Sequence, residues 1–226
     1  MFKKFPKTAL ILLFIFALNA GLINSITLIS FLHQPVTHMT GNVSLLANDL
    51  YFSLYPHFFF LLLIILAFFL GTILSGYILG FSNFKLEASY GYLLSIEVTC
   101  ILCCFIFSYL NIANLTIIFA ALSAGVQNSL LSSYKGINIR TTHLTGVFTD
   151  LGLAIGLKIR KVSIPSQRFS LNIAILTGFS LGCFLSIPSL NYLHRFAFIA
   201  PLGLSTSLCL GYWFKYITQS KKSTSL

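Results

Sequence analysis

Residues 37–41 read THMTG, and residues 142–146 read THLTG. Both times a short polar phrase interrupts an apolar chain. The first copy lies in HQPVTHMTGNVSLLANDLYFSLYP, residues 33–56, directly after an apolar run that ends at Leu32. Pro35 cannot continue a helix, and it disfavours helical angles at Gln34. Thr37 or Thr40 can then cap a new helix that runs to about Leu54, before Pro56. Around the second copy Lys135, Gly136 and Asn138 break the chain. Thr142 can cap a helix reaching about Leu157, and Lys158, Arg160 and Lys161 suit the dipole at its C-terminal end. Each helix has about 15 residues and spans about 22 Å, which is short for a bilayer.

The surrounding sequence identifies the solvent. Of the 226 residues, 57% are hydrophobic and 8% are charged, and the mean hydropathy is +0.90. A soluble domain carries roughly a quarter charged residues. This chain cannot clothe a water-facing surface, so the lipid bilayer is its expected partner. Six stretches reach the roughly 20 apolar residues that a crossing requires: 8–32, 57–82, 88–110, 113–133, 168–190 and 193–216. The expected fold is an all-α polytopic membrane protein with six long transmembrane helices and two short, half-length or re-entrant ones. It forms a single membrane domain over residues 1–226, with 217–226 as a disordered polar tail.

A net charge of +10 raises the possibility of nucleic acid, but the charges sit at span ends. Lys3, Lys4 and Lys7 precede the first span. Lys158, Arg160, Lys161 and Arg168 lie between two spans, and Lys215, Lys221 and Lys222 follow the last. That is the positive-inside pattern, and it places both termini on the cytoplasmic side. No basic face on a soluble domain is available for nucleic acid. The N-terminus imitates a signal peptide, but its small residues are spaced A-x-x-A and the apolar run continues to Leu32. A retained first span is expected. Tyr212, Trp213 and Tyr216 read as an interfacial aromatic belt.

The repetition extends beyond THxTG. Residues 20–25 read AGLINS and residues 124–129 read AGVQNS, an offset of 104 that becomes 105 at THxTG. GYILG at 76–80 and GFSLG at 178–182 share GxxxG spacing, which reads as close helix packing. The pattern implies two repeated halves, 8–110 and 113–216. If only the long spans cross, each half contains an odd number of crossings and the halves are inverted. If the short helices also cross, the halves are parallel. The basic loops favour six crossings and inverted halves.

With AGLINS, THMTGN and RTTHLTGVFTDLG together, the chain resembles the YoaK-type family of uncharacterised bacterial membrane proteins, over nearly its whole length. The resemblance implies a multi-pass protein of the bacterial cytoplasmic membrane. It implies no activity and no catalytic residues.

The first turn of a helix presents unpaired N–H groups and partial positive charge. Transporters with repeated halves hold substrate at such broken helices near the bilayer midplane. The expected substrate-binding residues are therefore Thr37, His38, Thr40, Gly41 and Asn42 in one half, and Thr142, His143, Thr145 and Gly146 in the other. Asn24, Gln127 and Asn128, in the spans before the breaks, either line the same cavity or hydrogen-bond between helices. Glu97, inside an apolar span, and Asp150, two turns after His143, are candidates for ion or proton coupling. No P-loop, GxSxG or HExxH motif occurs, and the five cysteines lie in apolar stretches away from histidines. Neither an enzyme nor a cofactor or metal site is expected. The leading expectation is a small secondary transporter or permease for a small molecule or ion. The alternative is a non-catalytic membrane scaffold or partner subunit, with an intramembrane enzyme behind both. The sequence allows a homo-oligomer.

Overall fold

Apolar runs become helices and polar breaks end them. The computed structural model describes residues 6–31, 33–80, 87–130, 140–162 and 166–224, without the side chains of 166–168 and 221–224. In chain order the helices are α1 (Lys7–Ser30), α2 (Met39–Tyr51), α3 (Tyr55–Leu79), α4 (Ala88–Tyr109), α5 (Ala113–Leu130), α6 (Leu144–Ile159), α7 (Ser166–Leu193) and α8 (Ile199–Thr224). A 3-10 turn at His194–Phe196 separates the last two. Among the described residues there is no strand. Helix α8 continues to Thr224, through residues expected to form a polar tail.

Four segments are long and apolar enough to cross a membrane: Lys7–Ser30, Tyr55–Leu79, Ala88–Tyr109 and Phe169–Phe196. On α3 the side chains of Phe59, Leu63, Phe69, Leu70 and Ile73 are all exposed. An apolar surface of this kind is what a lipid-facing helix presents. These are the features of a membrane protein. Lys3, Lys4, Lys85, Lys135, Gly136 and Asn138, used above to read topology and chain breaks, lie outside the described residues.

Two apolar clusters fix the direction of each helix. One joins Leu13 and Phe16 of α1 to Leu79 of α3, Leu93 of α4, Leu130 of α5, Leu171 of α7 and Cys209 of α8. The other joins Ile23 and Ile26 of α1 to Leu61 of α3, Ile101 of α4, Ile117 of α5 and Phe198 just before α8. Helices α1, α4 and α7 therefore run one way, and α3, α5 and α8 the other. Val147 and Leu151 of α6 belong to the first cluster, whereas Met39 and Leu46 of α2 pack against the second. The two short helices thus sit at opposite ends of the bundle.

Glycine makes the tightest contacts. Helix α1 packs chiefly on α7, and α3 on α5. A Cβ added at Gly21 would overlap the carbonyl of Phe179, and one at Gly125 the carbonyl of Phe68. In the same way Gly182 faces the carbonyl of Leu18, and Gly71 that of Leu122. Leu18 and Leu122 are 104 residues apart, as are Gly21 and Gly125, while Phe68 and Phe179 are 111 apart, as are Gly71 and Gly182. The stretch AFFLG at 67–71 therefore occupies the place that GFSLG at 178–182 occupies on the other helix. This differs from the GxxxG pairing expected above. Gly76 and Gly80 have no described atom within 4 Å of where a Cβ would stand, and Gly80 (φ +54°) ends α3 in a conformation that favours glycine.

Trp213 and Tyr212 also turn inward. Trp213 lies over Gly91 and donates its indole N–H to Ser95 Oγ at 3.1 Å. Tyr212 Oη donates to the Glu87 carbonyl at 2.7 Å and accepts from its N–H at 3.1 Å. They hold α8 against the start of α4 as well as contributing aromatic surface.

Gly182→Ala and Gly71→Ala are each expected to lower stability in detergent by about 1–3 kcal/mol, because backbone must separate to admit the methyl group. Gly76→Ala should be neutral. Thermal unfolding of the three variants checks the assignment, and equal effects at Gly76 and Gly71 would refute it.

Candidate functional site

Each break is tied down by an asparagine from the preceding helix. The backbone N–H and the hydroxyl of Thr37 both donate to Asn24 Oδ1, at 3.0 and 2.8 Å. In the other half the hydroxyl of Thr142 donates to Asn128 Oδ1 at 3.1 Å. An amide at membrane depth needs such partners, because an unpaired polar group there is costly. Among the described residues the oxygens of Asn24 and Asn128 bond to the breaks and not to another helix, and both residues line a cavity.

These bonds change the expected caps. The threonine hydroxyls are occupied by Asn24 and Asn128, so Thr37 and Thr142 cap nothing. The N-cap residues are His38 (φ −101°, ψ 65°) and His143 (φ −90°, ψ 63°), and neither makes a side-chain cap bond. Helix α2 instead begins with the bond from Asn42 N–H to the His38 carbonyl, and α6 with that from Val147 N–H to the His143 carbonyl.

The glycines in the two phrases have a specific cause. A Cβ at Gly41 would overlap Cδ2 and Nε2 of His38, and one at Gly146 the same atoms of His143. Each imidazole is folded back over the first turn of its own helix, against the only residue there with no side chain. This explains the shared H-x-x-G spacing. Cap and glycine lie three residues apart, one turn of helix, so they share a face.

The two breaks meet. A cavity of about 840 Å³ is lined by Asn24, Thr37, His38 and Thr40 from one half, and by Asn128, Thr142, His143 and Thr145 from the other. Phe68 of α3 and Phe179 of α7, equivalent in the glycine packing above, also line it. One position breaks the match: where Pro35 stands in the first half, Arg140, 105 residues later, stands in the second. Among the described residues Arg140 is the only permanently charged one in the lining, and no carboxylate reaches the wall. The first turns have no side-chain caps, and their N–H groups belong to lining residues such as Met39, Thr40 and Thr145, while that of Leu144 bonds to the Thr142 carbonyl at 3.1 Å. Two helix N-termini, an arginine and two imidazoles together make the wall electropositive.

The other expected site residues lie elsewhere. Gly41 and Gly146 lie under the histidines, outside the wall. Asn42 is fully buried, and its Nδ2 donates to the Pro35 carbonyl at 3.1 Å, which braces the first break. Gln127 is fully buried and donates to the Phe16 carbonyl at 2.7 Å, joining α5 to α1. Glu97 lies where α1, α4 and α8 meet. Asn19 Nδ2 is 3.4 Å from its Oε1 and donates to Ser205 Oγ at 2.8 Å. Asp150 is exposed on α6. Neither acid lines the cavity.

Sequence reasoning missed a second polar cluster beside the first break. Asp49 of α2 is buried and accepts from His57 Nδ1 of α3 at 2.6 Å. His57 Nε2 in turn lies 2.8 Å from Gln34 Nε2. The signal was an Asp and a His eight residues apart across the turn at Pro56, a spacing that single-helix periodicity does not register.

The family described as a protein of unknown function, DUF1275, matches residues 12–211. The chain belongs to this family. The match takes in both breaks, every lining residue of the cavity and the Asp49–His57 cluster of this DUF1275 chain. No curated protein and no solved structure matches it.

Gly146→Ala should push the His143 ring off its seat and destabilise the fold. In the His143→Ala background the same change should cost little. A double-mutant cycle by thermal unfolding is expected to give a coupling of about 1–2 kcal/mol, and independent effects would mean that the ring does not rest on the glycine.

Proposed function

We propose that this chain is a small secondary transporter whose substrate site is the cavity between the two THxTG breaks. The observation that carries the reading is the convergence of two matched helix starts on one cavity in a membrane protein. Irregular backbone at such depth is stable only where protein buries it or water reaches it, and broken helices facing each other are the usual construction of a transporter site.

The proposed topology has six crossings, by α1, α3, α4, α5, α7 and α8, arranged as two duplicated halves of inverted orientation. The opposed directions of α1 and α5 support inversion, as do the opposite ends occupied by α2 and α6. Parallel halves would require α1 and α5 to run the same way. The matched glycine contacts at constant offsets support duplication. With inverted halves, each break reaches the cavity from its own side of the membrane, the arrangement that alternating access needs. Both termini and the basic loops then lie in the cytoplasm of a bacterial cell.

The substrate class follows from the wall. Arg140, the two imidazoles and the uncapped first turns favour a small organic or inorganic anion. Phe68 and Phe179 supply apolar surface for a carbon skeleton. Transport needs no covalent chemistry, and the proposal includes no cofactor.

Two measurements test this. In nanodiscs, a panel of small carboxylates and phosphate esters is titrated against the protein, with ligand-induced thermal stabilisation as the signal. Arg140→Gln and His143→Ala should each weaken a binding anion at least about tenfold while leaving the unliganded melting temperature nearly unchanged. Unfolding of both variants would make these residues structural and remove the site. Separately, a single cysteine at Lys85 in a cysteine-free variant should resist an impermeant thiol reagent in intact cells and react once they are opened. Labelling in intact cells would exclude the six-crossing topology.

A further inference from the structure

Asp49, His57 and Gln34 form a chain of contacts at the foot of the first break. The Asp49 side chain is 2% exposed and the His57 side chain 38%, so the carboxylate is sealed while one edge of the imidazole remains open. With Nδ1–H donated to Asp49 Oδ2, the neutral ring offers a lone pair on Nε2 that accepts from the Gln34 amide. Gln34 is itself buried, and its Oε1 has no hydrogen-bond partner among the described residues. A buried acceptor is rarely left unused without a reason.

We infer that Asp49, His57 and Gln34 constitute a proton-binding site, with the spare oxygen of Gln34 reserved for the protonated state. A proton from water adds to His57 Nε2. The imidazolium then carries N–H groups on both nitrogens and has nothing left to accept with. Gln34 responds by a half-turn of its amide, which brings Oε1 to the ring and turns the amide nitrogen away. The new positive charge is balanced by the Asp49 carboxylate, already in contact. No other group changes protonation.

The surroundings leave His57 little other influence. Titratable groups on the neighbouring elements are Asp49 and Tyr51 on α2, Tyr55 on α3, His33 and His38 in the break, and Cys103, Cys104 and Tyr109 on the adjoining part of α4. Helix α5, the main packing partner of α3, has none. Of these groups only Asp49 lies within hydrogen-bonding or ion-pair distance of His57.

The site is wired to the cavity through one peptide. Gln34 precedes Pro35, which lines the cavity and whose carbonyl accepts from Asn42 in the first turn of α2. The residue that answers the proton is therefore the chain neighbour of a residue in the cavity wall. The second half has Ala154 and Arg168 at the positions 105 after Asp49 and 111 after His57, so one proton site serves both breaks. That the bound proton is the coupling ion rests on the transporter reading; proton binding itself does not.

The test is nitrogen NMR of ¹⁵N-histidine-labelled full-length protein in nanodiscs, with His57→Asn identifying one of the five histidine signals. The His57 ring signals are expected to pass with falling pH from those of a neutral ring protonated at Nδ1 to those of the imidazolium. The ¹⁵N signal of the Gln34 amide should move with the same midpoint. Gln34→Met, which removes the acceptor at nearly constant volume, should weaken proton affinity about tenfold. If His57→Asn does not fold, the signal displaced in Gln34→Met makes the assignment. A ring that stays in one form at every pH where the protein remains folded overturns the inference, as does a midpoint indifferent to Gln34→Met. A titrating His57 in a protein whose cavity binds no anion would keep the proton site and discard its coupling role.

Discussion

A polar backbone inside a membrane must find partners in the protein, and this constraint organises the whole structure. Breaking a helix at residues 31–38 exposes carbonyls and N–H groups that lipid cannot satisfy. Asn24 answers with two accepted hydrogen bonds from Thr37, and Asn128 answers the second break through Thr142. Both asparagines must stand close to the chain that they restrain. Their helices must therefore be tightly packed, which explains why Ala-Gly lies one turn before each of them. Gly21 lets α1 meet the backbone of α7, and Gly125 lets α5 meet that of α3. The small residues and the amides in AGLINS and AGVQNS thus form one device: close approach, then restraint of the break.

The break also explains the histidine. A helix whose capping hydroxyl is already engaged leaves its first turn bare. In both halves an imidazole covers that turn, seated on a glycine one turn later. The ring shields one side of the helix start and leaves the other toward the cavity. The imidazole that rests on each first turn also lines the cavity. Capping and binding, rival explanations of THxTG at the level of sequence, do not exclude each other in three dimensions.

Helix count, the places of both breaks and eight cavity-lining residues were legible in the sequence, because apolar length and Pro, Gly and Asn punctuation act locally. The cap residue was not legible: Thr142 is a better intrinsic cap than His143, and only the tertiary bond to Asn128 removes it from contention. The counterpart of Gly182 was not legible either. GYILG matches GFSLG in spacing, but AFFLG matches it in place, since packing is decided by which carbonyl lies opposite and not by a motif. Arg140 was not singled out as a site residue, because a lone arginine ahead of α6 matches no motif and only the tertiary fold brings it to the cavity wall. Asp49 and His57 escaped notice for a similar reason. Their contact crosses a turn between two helices, and no periodic pattern within either helix encodes it.

Near-symmetry sharpens the meaning of the departures from it. Asn24 and Asn128, Thr37 and Thr142, His38 and His143, and Phe68 and Phe179 all line one cavity, at sequence offsets of 104, 105, 105 and 111. A site built only of such pairs would present the same surface to both sides of a substrate. Arg140 opposite Pro35 removes that equivalence, giving the wall a charged half and a neutral half. Asp49 and His57 remove it again, and they do so in the half without the arginine. The fixed positive charge of Arg140 and the Asp49–His57 pair therefore belong to different breaks. In the proposed transporter an anion would be held on the Arg140 side of the cavity, and the proton of the inferred site would bind beside Gln34, next to the Pro35 wall. Two ligands that engage opposite halves of one cavity can influence each other without touching, and that separation is the physical requirement for coupling one to the other.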